Sequence, residues 1–325
     1  MTPSTSAQAA SGPDADPPRG ARSTSTAGQR AALAERLRRH VAALEGVRHP
    51  TAAPDRHRAA RDYVTTELRT LSLAVELAPF SFRGRTYHNV LGVLPGRDAR
   101  RPRLLVGAHF DSTADTPGAD DNASGVAVLL ECARLVADLQ PPGGWTGNVE
   151  FIGFDLEELQ TITGRYRLGS RALASEKRAR GEPLSGALIL EMVGYRDRTP
   201  GAQIVPPLLG IEVPRTGDFL AAVGDTRSRA LLDGYVAGAR AAAPDLPLVP
   251  YRTRWRGWRL PLTRLSDNAS FWDAGYPALM VTDTAFLRNP HYHRASDTAA
   301  TLDYEFMTLV TEATAGAVAR LVDGG

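Results

Sequence analysis

Apolar residues recur at three- and four-residue spacing in QRAALAERLRRHVAAL (29–44) and PDRHRAARDYVTTELRTL (54–71). That spacing lines one face of a helix and predicts two amphipathic helices. The period then changes. AVELAPFSF (74–82) and TYHNVLGVLPG (86–96) read as strands forming a hairpin-like pair, and RLLVGAHF (103–110) is a short apolar run of the kind that fills a buried strand. Helix 122–139, strand 148–154, helix 164–179 and strand 186–193 follow. Further strands are expected at 202–206, 247–253 and 277–282, with helices at 226–243, 267–274 and 303–322. Such alternation predicts an α/β fold with a mixed, largely parallel central sheet and helices on both faces. In that architecture ligand chemistry collects beyond the carboxyl ends of the strands.

No repeat or low-complexity linker interrupts residues 29–325, which read as one domain. Residues 1–28 are rich in Ser, Thr, Ala, Pro and Gly, and are expected to be disordered because they offer almost no large apolar side chain to bury. They contain no hydrophobic signal-peptide core, and no later apolar run reaches the length of a membrane span, so a soluble cytoplasmic protein is the expectation.

Composition narrows the function classes. The 325 residues are 43% hydrophobic and carry a formal net charge of +2, which gives no reason to expect a nucleic-acid or membrane partner. A single cysteine, Cys132, excludes an intramolecular disulfide, and its setting in LLECARLV is that of a helix-core thiol. Oligomeric state leaves no sign in the chain.

Chemistry-bearing residues gather at the predicted strand ends. His109 closes strand 103–110, Glu157 and Glu158 follow strand 148–154, and Glu191 lies near the end of strand 186–193. His109 and Asp111 are two apart, which on an extended segment points both side chains to one face, and a carboxylate there suits the second ring nitrogen of a metal-bound histidine. Asp121, in DDNASG, lies where a helix begins, and NPHYHRASDT offers His291 and His293. Taken singly, each has a plainer reading: N-capping by Asp120, Asp121 or Asn122, or exposed loop acids. Together His109, Asp121, Glu158, Glu191 and His293 make a mixed nitrogen and oxygen set suited to zinc, with a carboxylate to bridge two ions.

The segments AHFDS, GADDNASGVAVLLECAR, FDLEE, LEMVGY, SDNASFWDAGYPALMVTDTA and NPHYHRASDT, in this order over about 107–302, resemble the two-zinc aminopeptidases and glutamate-carboxypeptidase-like exopeptidases, a family that includes the glutaminyl cyclases. The resemblance implies a zinc exopeptidase (phosphorylase/hydrolase-like) fold, two zinc ions, and a peptide, aminoacyl or acyl-amide substrate. It also implies roles: Asp121 bridging, His109 and Glu191 completing one ion's ligands, and Glu158 and His293 the other's. Glu157 would be the general base, Asp111 would orient His109, and Tyr292 would polarise the substrate carbonyl. The chain departs from the family's pattern in three places. Glu191 stands where the aminopeptidases usually have aspartate. LQTITGRYRLGS replaces a shorter glycine-rich link and is expected to reshape the pocket rim. Asn268 replaces a histidine, while Asp267, which in relatives contacts the base, is kept.

An aminopeptidase-type hydrolase is the reading these residues favour. A glutaminyl-cyclase-like acyl transferase, with one zinc and an internal amine as nucleophile, is the alternative; retained His109 and a tyrosine at 292, where those cyclases have tryptophan, weigh against it. A non-catalytic binding module is the third reading and predicts broken ligands. Region 196–225 and YRTRWRGWRLPLTR (251–264) are expected to wall the pocket, with Trp255 and Trp258 as apolar surfaces and Arg252, Arg254, Arg256 or Arg259 as anchors for a substrate carboxylate.

Overall fold

A computed structural model describes residues 25–158, 166–207 and 209–324. Helix α1 (Ala27–Leu44) starts under a capping box: the Thr26 side chain accepts from Gln29 N–H, and the Gln29 side chain accepts from Thr26 N–H. The helix thus begins two residues before the apolar period does, because the cap and not the buried face sets the start. Residues 1–24 of the segment expected to be disordered lie outside the described residues.

Helix α2 (Pro54–Thr70) is followed by strands β1 (Ala74–Phe82), β2 (Arg85–Leu94) and β3 (Arg103–His109), helix α3 (Gly125–Asp138), strand β4 (Val149–Phe154), helix α4 (Leu168–Ala179) and strand β5 (Leu184–Glu191). Strand β6 (Leu220–Gly224), helix α5 (Arg229–Ala242), strand β7 (Leu248–Arg252), helix α6 (Asn268–Ala274), strand β8 (Ala278–Thr282) and helix α7 (Tyr304–Asp323) complete the order. The eight strands form one sheet, β1-β2-β4-β3-β5-β8-β6-β7. Its centre, β4-β3-β5-β8, is parallel, as is the pair β6–β7, while β1–β2, β2–β4 and β6–β8 are antiparallel.

Strand alternation divides the core into two layers. Leu104, Val106, Leu188, Leu190, Leu279 and Val281 face a layer formed with α1, α2, α3, α5 and α7. Their neighbours Leu105, Ala187, Ile189, Ala278 and Met280 face the opposite layer, where α4 and α6 pack. No described helix is long and apolar enough to cross a membrane.

Two expectations are corrected, and one strand was not foreseen. The strand expected at 202–206 is irregular chain, with Ile204 N–H donating to the Leu287 carbonyl and Gln203 N–H to that of Arg215. The strand that does form nearby is β6, missed because Leu-Ala-Ala-Val-Gly has small residues where a strand pattern calls for β-branched ones. The helix expected from 122 begins at Gly125, since Asp121 (φ −104°, ψ 87°) and Asn122 (φ −134°, ψ 41°) are non-helical.

Candidate metal centre

Parallel pairing of β3 with β4 and β5 brings three strand ends side by side, with His109 opposite Phe154. Just past those ends the backbone turns sharply through non-glycine residues in the left-handed region: Leu156 (φ 55°) before Glu157 and Met192 (φ 48°) after Glu191. His293 itself has φ 55°. Such conformations cost free energy and persist where the surroundings hold them, commonly at sites of function.

Two groups of ligand atoms result, sharing Asp121. His109, Asp121 and Glu191 form one; Asp121, Glu158 and His293 form the other, and within each group the atoms lie within 4.8 Å of one another. His109 Nε2 is 3.4 Å from Asp121 Oδ1 and 3.5 Å from Glu191 Oε2. His293 Nε2 is 3.1 Å from Asp121 Oδ2 and 3.5 Å from Glu158 Oε2. Asp121 therefore offers one oxygen to each group. His109 Nε2 is buried and has no hydrogen-bond partner among the described residues. An orphaned imidazole nitrogen between carboxylates is what a divalent cation would satisfy, and the donor set fits zinc.

The supports reach further than the motifs suggest. Asp111 Oδ1 is 3.5 Å from His109 Nδ1, while its two carboxylate oxygens accept the backbone N–H groups of Glu157 (3.0 Å) and Glu158 (3.2 Å). One aspartate so ties the β3 end to the acid pair. Asn122 accepts from Met192 N–H (3.0 Å) and Gly125 N–H (3.2 Å) and donates to the Leu190 carbonyl (2.9 Å), pinning the β5 end to the turn before α3. Asp120, fully buried, accepts from Gly194 N–H and, at 2.6 Å, from Asn289 Nδ2. Asp297 accepts from the N–H groups of Asp120 and Asp121. Ser266 Oγ donates to Glu191 Oε2 at 2.6 Å. Beneath the loop, buried Arg48 donates to the carbonyls of Phe110, Pro117 and Gly118. Arg48 lies outside the matched segments, and Ser266 and Asp297, though inside two of them, have no role legible in sequence, because all three roles depend on contacts distant in sequence. His291 stays apart, with its Nδ1 2.9 Å from Ser296 Oγ.

Electrostatics follow from packing this many ionisable groups out of water. Burial alone would lower the His109 imidazole, but the Glu191 charge and the contacts with Asp111 and Asp121 hold it well above its usual value. Burial would raise Asp121, yet the two histidines pull it below the ordinary carboxylate range. Glu157 is raised well above that range by burial, against His109 and reinforced by Asp267, Glu191 and Glu158. Burial, with Asp121 beside it, pushes Glu158 to about 7, and burial pushes Asp267 to about 7. Without a cation such acids hold protons near neutrality, and a bound cation would displace them.

Asp121, Glu158, Glu191 and His293 of these groups line a pocket holding about 970 Å³ of open space, mouth included. Glu157 and Tyr292 line it, the Tyr292 ring stacked on His293 at 3.8 Å. Asp267 and Asn268 are fully buried behind it, where the Asn268 amide donates to the Thr263 carbonyl. The expected walls are corrected in part. Trp255 and Trp258 do not line the pocket and are 64% and 65% exposed, with Arg259 over the first ring and Arg264 over the second. Arg252, Arg254, Arg256 and Arg259 do not line it either, whereas Tyr251, Leu262 and Thr263 from the same stretch do. Part of the link 159–170, residues 159–165, lies outside the described residues.

Residues 89–318 match the model of peptidase family M28. The chain is 32% identical over 294 residues to the uncharacterized protein YfbL of Escherichia coli, covering 87% of each chain. It is 29% identical over 230 residues to a probable leucine aminopeptidase 1 of Trichophyton verrucosum, covering 68% of this chain and 54% of that protein, so it spans about half the length of this relative. Among solved structures, the LapA aminopeptidase of Legionella pneumophila is similar with a TM-score of 0.65 at 20% identity, covering 90% of this chain and 72% of the other. The glutaminyl cyclase of Porphyromonas gingivalis is similar with a TM-score of 0.65 at 19% identity, covering 89% and 97%. Both structural likenesses are likenesses of fold.

Proposed function

The chain belongs to peptidase family M28, and we propose that it is a zinc-dependent aminopeptidase-type exopeptidase, hydrolysing the amide bond next to a free amino terminus. The observation that carries this reading is the shared carboxylate: Asp121 gives one oxygen to the His109–Glu191 group and the other to the Glu158–His293 group, with Glu157 beside both in an open pocket. Two zinc ions held by these five residues would supply Lewis acidity to the scissile carbonyl and make water nucleophilic at neutral pH.

The protein's own groups do the rest. Glu157 belongs to neither ligand group, so its carboxylate remains available to take the proton from the attacking water and pass it to the leaving amine. Burial and the neighbouring acids raise its proton affinity, which strengthens it as a base. Asp111 fixes the backbone of Glu157 and Glu158 and so the aim of the base. Burial and the surrounding carboxylates push the Tyr292 phenol above its usual value, keeping its O–H as a donor for the carbonyl oxygen. The inner carboxylates also offer the substrate's ammonium group its counter-charge.

Aminoacyl, N-acyl-aminoacyl and N-terminal glutaminyl amides, assayed with the zinc-loaded protein and after chelation and zinc add-back, test the proposal. Zinc-restored cleavage of the aminoacyl amides alone is expected. Ammonia release with ring closure of the glutaminyl substrate would instead assign acyl transfer, and absence of any metal-dependent turnover would leave a binding module.

A further inference from the structure

Tyr251, Leu262, Thr263 and Leu265 line the pocket, while residues 254–259 between them form a tight turn outside it. Gly257 N–H donates to the Arg254 carbonyl (3.0 Å), Leu260 N–H to that of Gly257 (2.9 Å) and Thr263 N–H to that of Leu260 (3.0 Å). Buried Arg264 donates to the Arg256 carbonyl at 2.6 Å and to both oxygens of Asp273 at 2.8 Å, and its guanidinium carbon lies 4.0 Å from the centre of the Trp258 ring. The turn is thereby clamped against Thr263 and Arg264, at the edge of the pocket. Trp255, Arg256 and Gly257 are all left-handed (φ 57°, 53° and 80°), and a Cβ on Gly257 would come within 2.5 Å of Thr263 Oγ1. Such a run costs free energy and persists only where the surroundings hold it.

Residues 251–265 hold five arginines and no acid. Arg264 is neutralised by Asp273. Arg252 follows Tyr251 on β7, and since Tyr251 faces the pocket, strand alternation puts Arg252 on the other face of the sheet. Arg254, Arg256 and Arg259 have no ion-pair partner among the described residues. Arg259 reaches only the Trp255 ring, 5.4 Å from its centre. Apolar exposure gathers at the same place. Of eight large apolar side chains exposed among the described residues, Ile204, Ile211, Leu265 and Phe286 line the pocket, and Trp255 and Trp258 belong to the turn at its edge. Exposed indoles beside unpaired guanidiniums are the composition of a binding surface.

Charge and position select the occupant. A guanidinium fork pairs bidentately with a carboxylate, and an indole face takes an apolar side chain. A second copy of this chain would set like charge against like, and a bilayer laid on this face would close the mouth of the pocket. We infer that residues 254–259 dock the downstream part of an acidic peptide substrate: carboxylates three to six residues beyond its amino terminus pair with Arg254, Arg256 and Arg259, and apolar side chains among them lie on Trp255 and Trp258. Three to six extended residues span roughly 10–20 Å, the scale of a pocket of about 970 Å³ together with its rim. The inference rests on the exopeptidase reading, because a peptide held by its amino terminus at the inner carboxylates leaves its later residues at the mouth.

Two leucyl octapeptides test it, alike except for glutamate or glutamine at positions four to seven, with leucyl p-nitroanilide as a substrate too short to reach the turn. On the zinc-loaded protein at about 20 mM salt, kcat/KM for the glutamyl peptide is expected to exceed that for the glutaminyl one roughly tenfold, through KM. At about 0.5 M salt the two are expected to agree within about twofold. Arg254→Glu combined with Arg259→Glu, both at exposed positions, is expected to reverse the preference and leave leucyl p-nitroanilide turnover at the parent level. Trp255→Ser combined with Trp258→Ser is expected to lower kcat/KM for the glutamyl peptide several-fold. Titration of N-acetylated forms of both octapeptides, labelled at the carboxyl end and followed by anisotropy, reads docking without turnover. Binding of the glutamyl form to the parent but not to the arginine variant, with no peptide cleaved, would sink the exopeptidase reading and leave the docking surface standing. Equal kcat/KM for the two octapeptides, with equal binding by parent and variant, would overturn the inference and leave the exopeptidase reading standing. Equal kcat/KM with the parent, but not the variant, sedimenting with phosphatidylglycerol–phosphatidylcholine vesicles would overturn it too and make the turn a membrane contact.

Discussion

Glu157 and Glu158 are adjacent in sequence and separate in placement. Glu158 joins a ligand group with Asp121 and His293, while Glu157 lines the pocket outside both groups. Replacing Glu157 by alanine is accordingly expected to leave zinc content near that of the parent while lowering kcat by about 10²–10⁴. Metal analysis and steady-state kinetics on one preparation check this, and retained turnover would remove the base assignment. The neighbouring aspartates diverge in the same way. Asp121 faces the two histidines, whereas Asp120, one residue earlier, turns to Gly194 N–H and Asn289 and locks the loop carrying His293 to the β5 end. A motif identifies which of the two is expected to face metal, but the buried structural task of the other depends on partners 74 and 169 residues away.

Among the elements, the helices that cover the sheet are joined by ion pairs as well as by apolar faces. Glu131 of α3 accepts from Arg36 of α1 (2.8 Å) and from Arg134 (2.8 Å), and lies 3.2 Å from His40 Nε2 of α1. Although burial opposes it, these partners hold the Glu131 carboxyl down at about 2. A carboxylate depressed in the folded state contributes stability that is complete above its unfolded value near 4.3 and is lost as pH falls toward 2. The stability difference between the parent and Glu131→Gln is therefore expected to shrink by about 3 kcal/mol between pH 5 and pH 2. Urea unfolding at stepped pH measures it, and a difference independent of pH would show that the helices are held by packing alone. Element boundaries repeat the lesson of competing local signals. Strand β1 has the bounds its alternation predicts, 74–82, but α1 starts at its capping box and α3 waits until Gly125 because Asp121 and Asn122 turn the chain first.

For the whole molecule, the carboxylates gathered at the strand ends are expected to make stability depend on metal. His109, Asp121, Glu157 and Glu158 are all buried within one site, and zinc that binds only the folded chain stabilises it by mass action. Chelation is expected to lower the unfolding midpoint by on the order of 10 °C, restored by zinc, in calorimetric scans. A midpoint unchanged to within about 2 °C would mean that the acids are reconciled by protonation alone.

The α/β class, most elements and the five side chains of the two ligand groups were legible in the sequence, because periodicity and motif are local and each strand end carries its polar residue in a short recognisable string. What the tertiary structure decided were matters of distance across the chain. Asp121 divides its oxygens between two histidines 184 residues apart in sequence, in a loop held by Asp297, Asn122 and Arg48. Strand β6, weak in its own pattern, forms because β7 and β8 offer it partners on both sides. The pocket's apolar wall includes Ile204, Pro206, Leu209, Ile211 and Val213 and not the tryptophans at 255 and 258, since side-chain direction follows the path of the backbone and not the hydrophobicity of the residue.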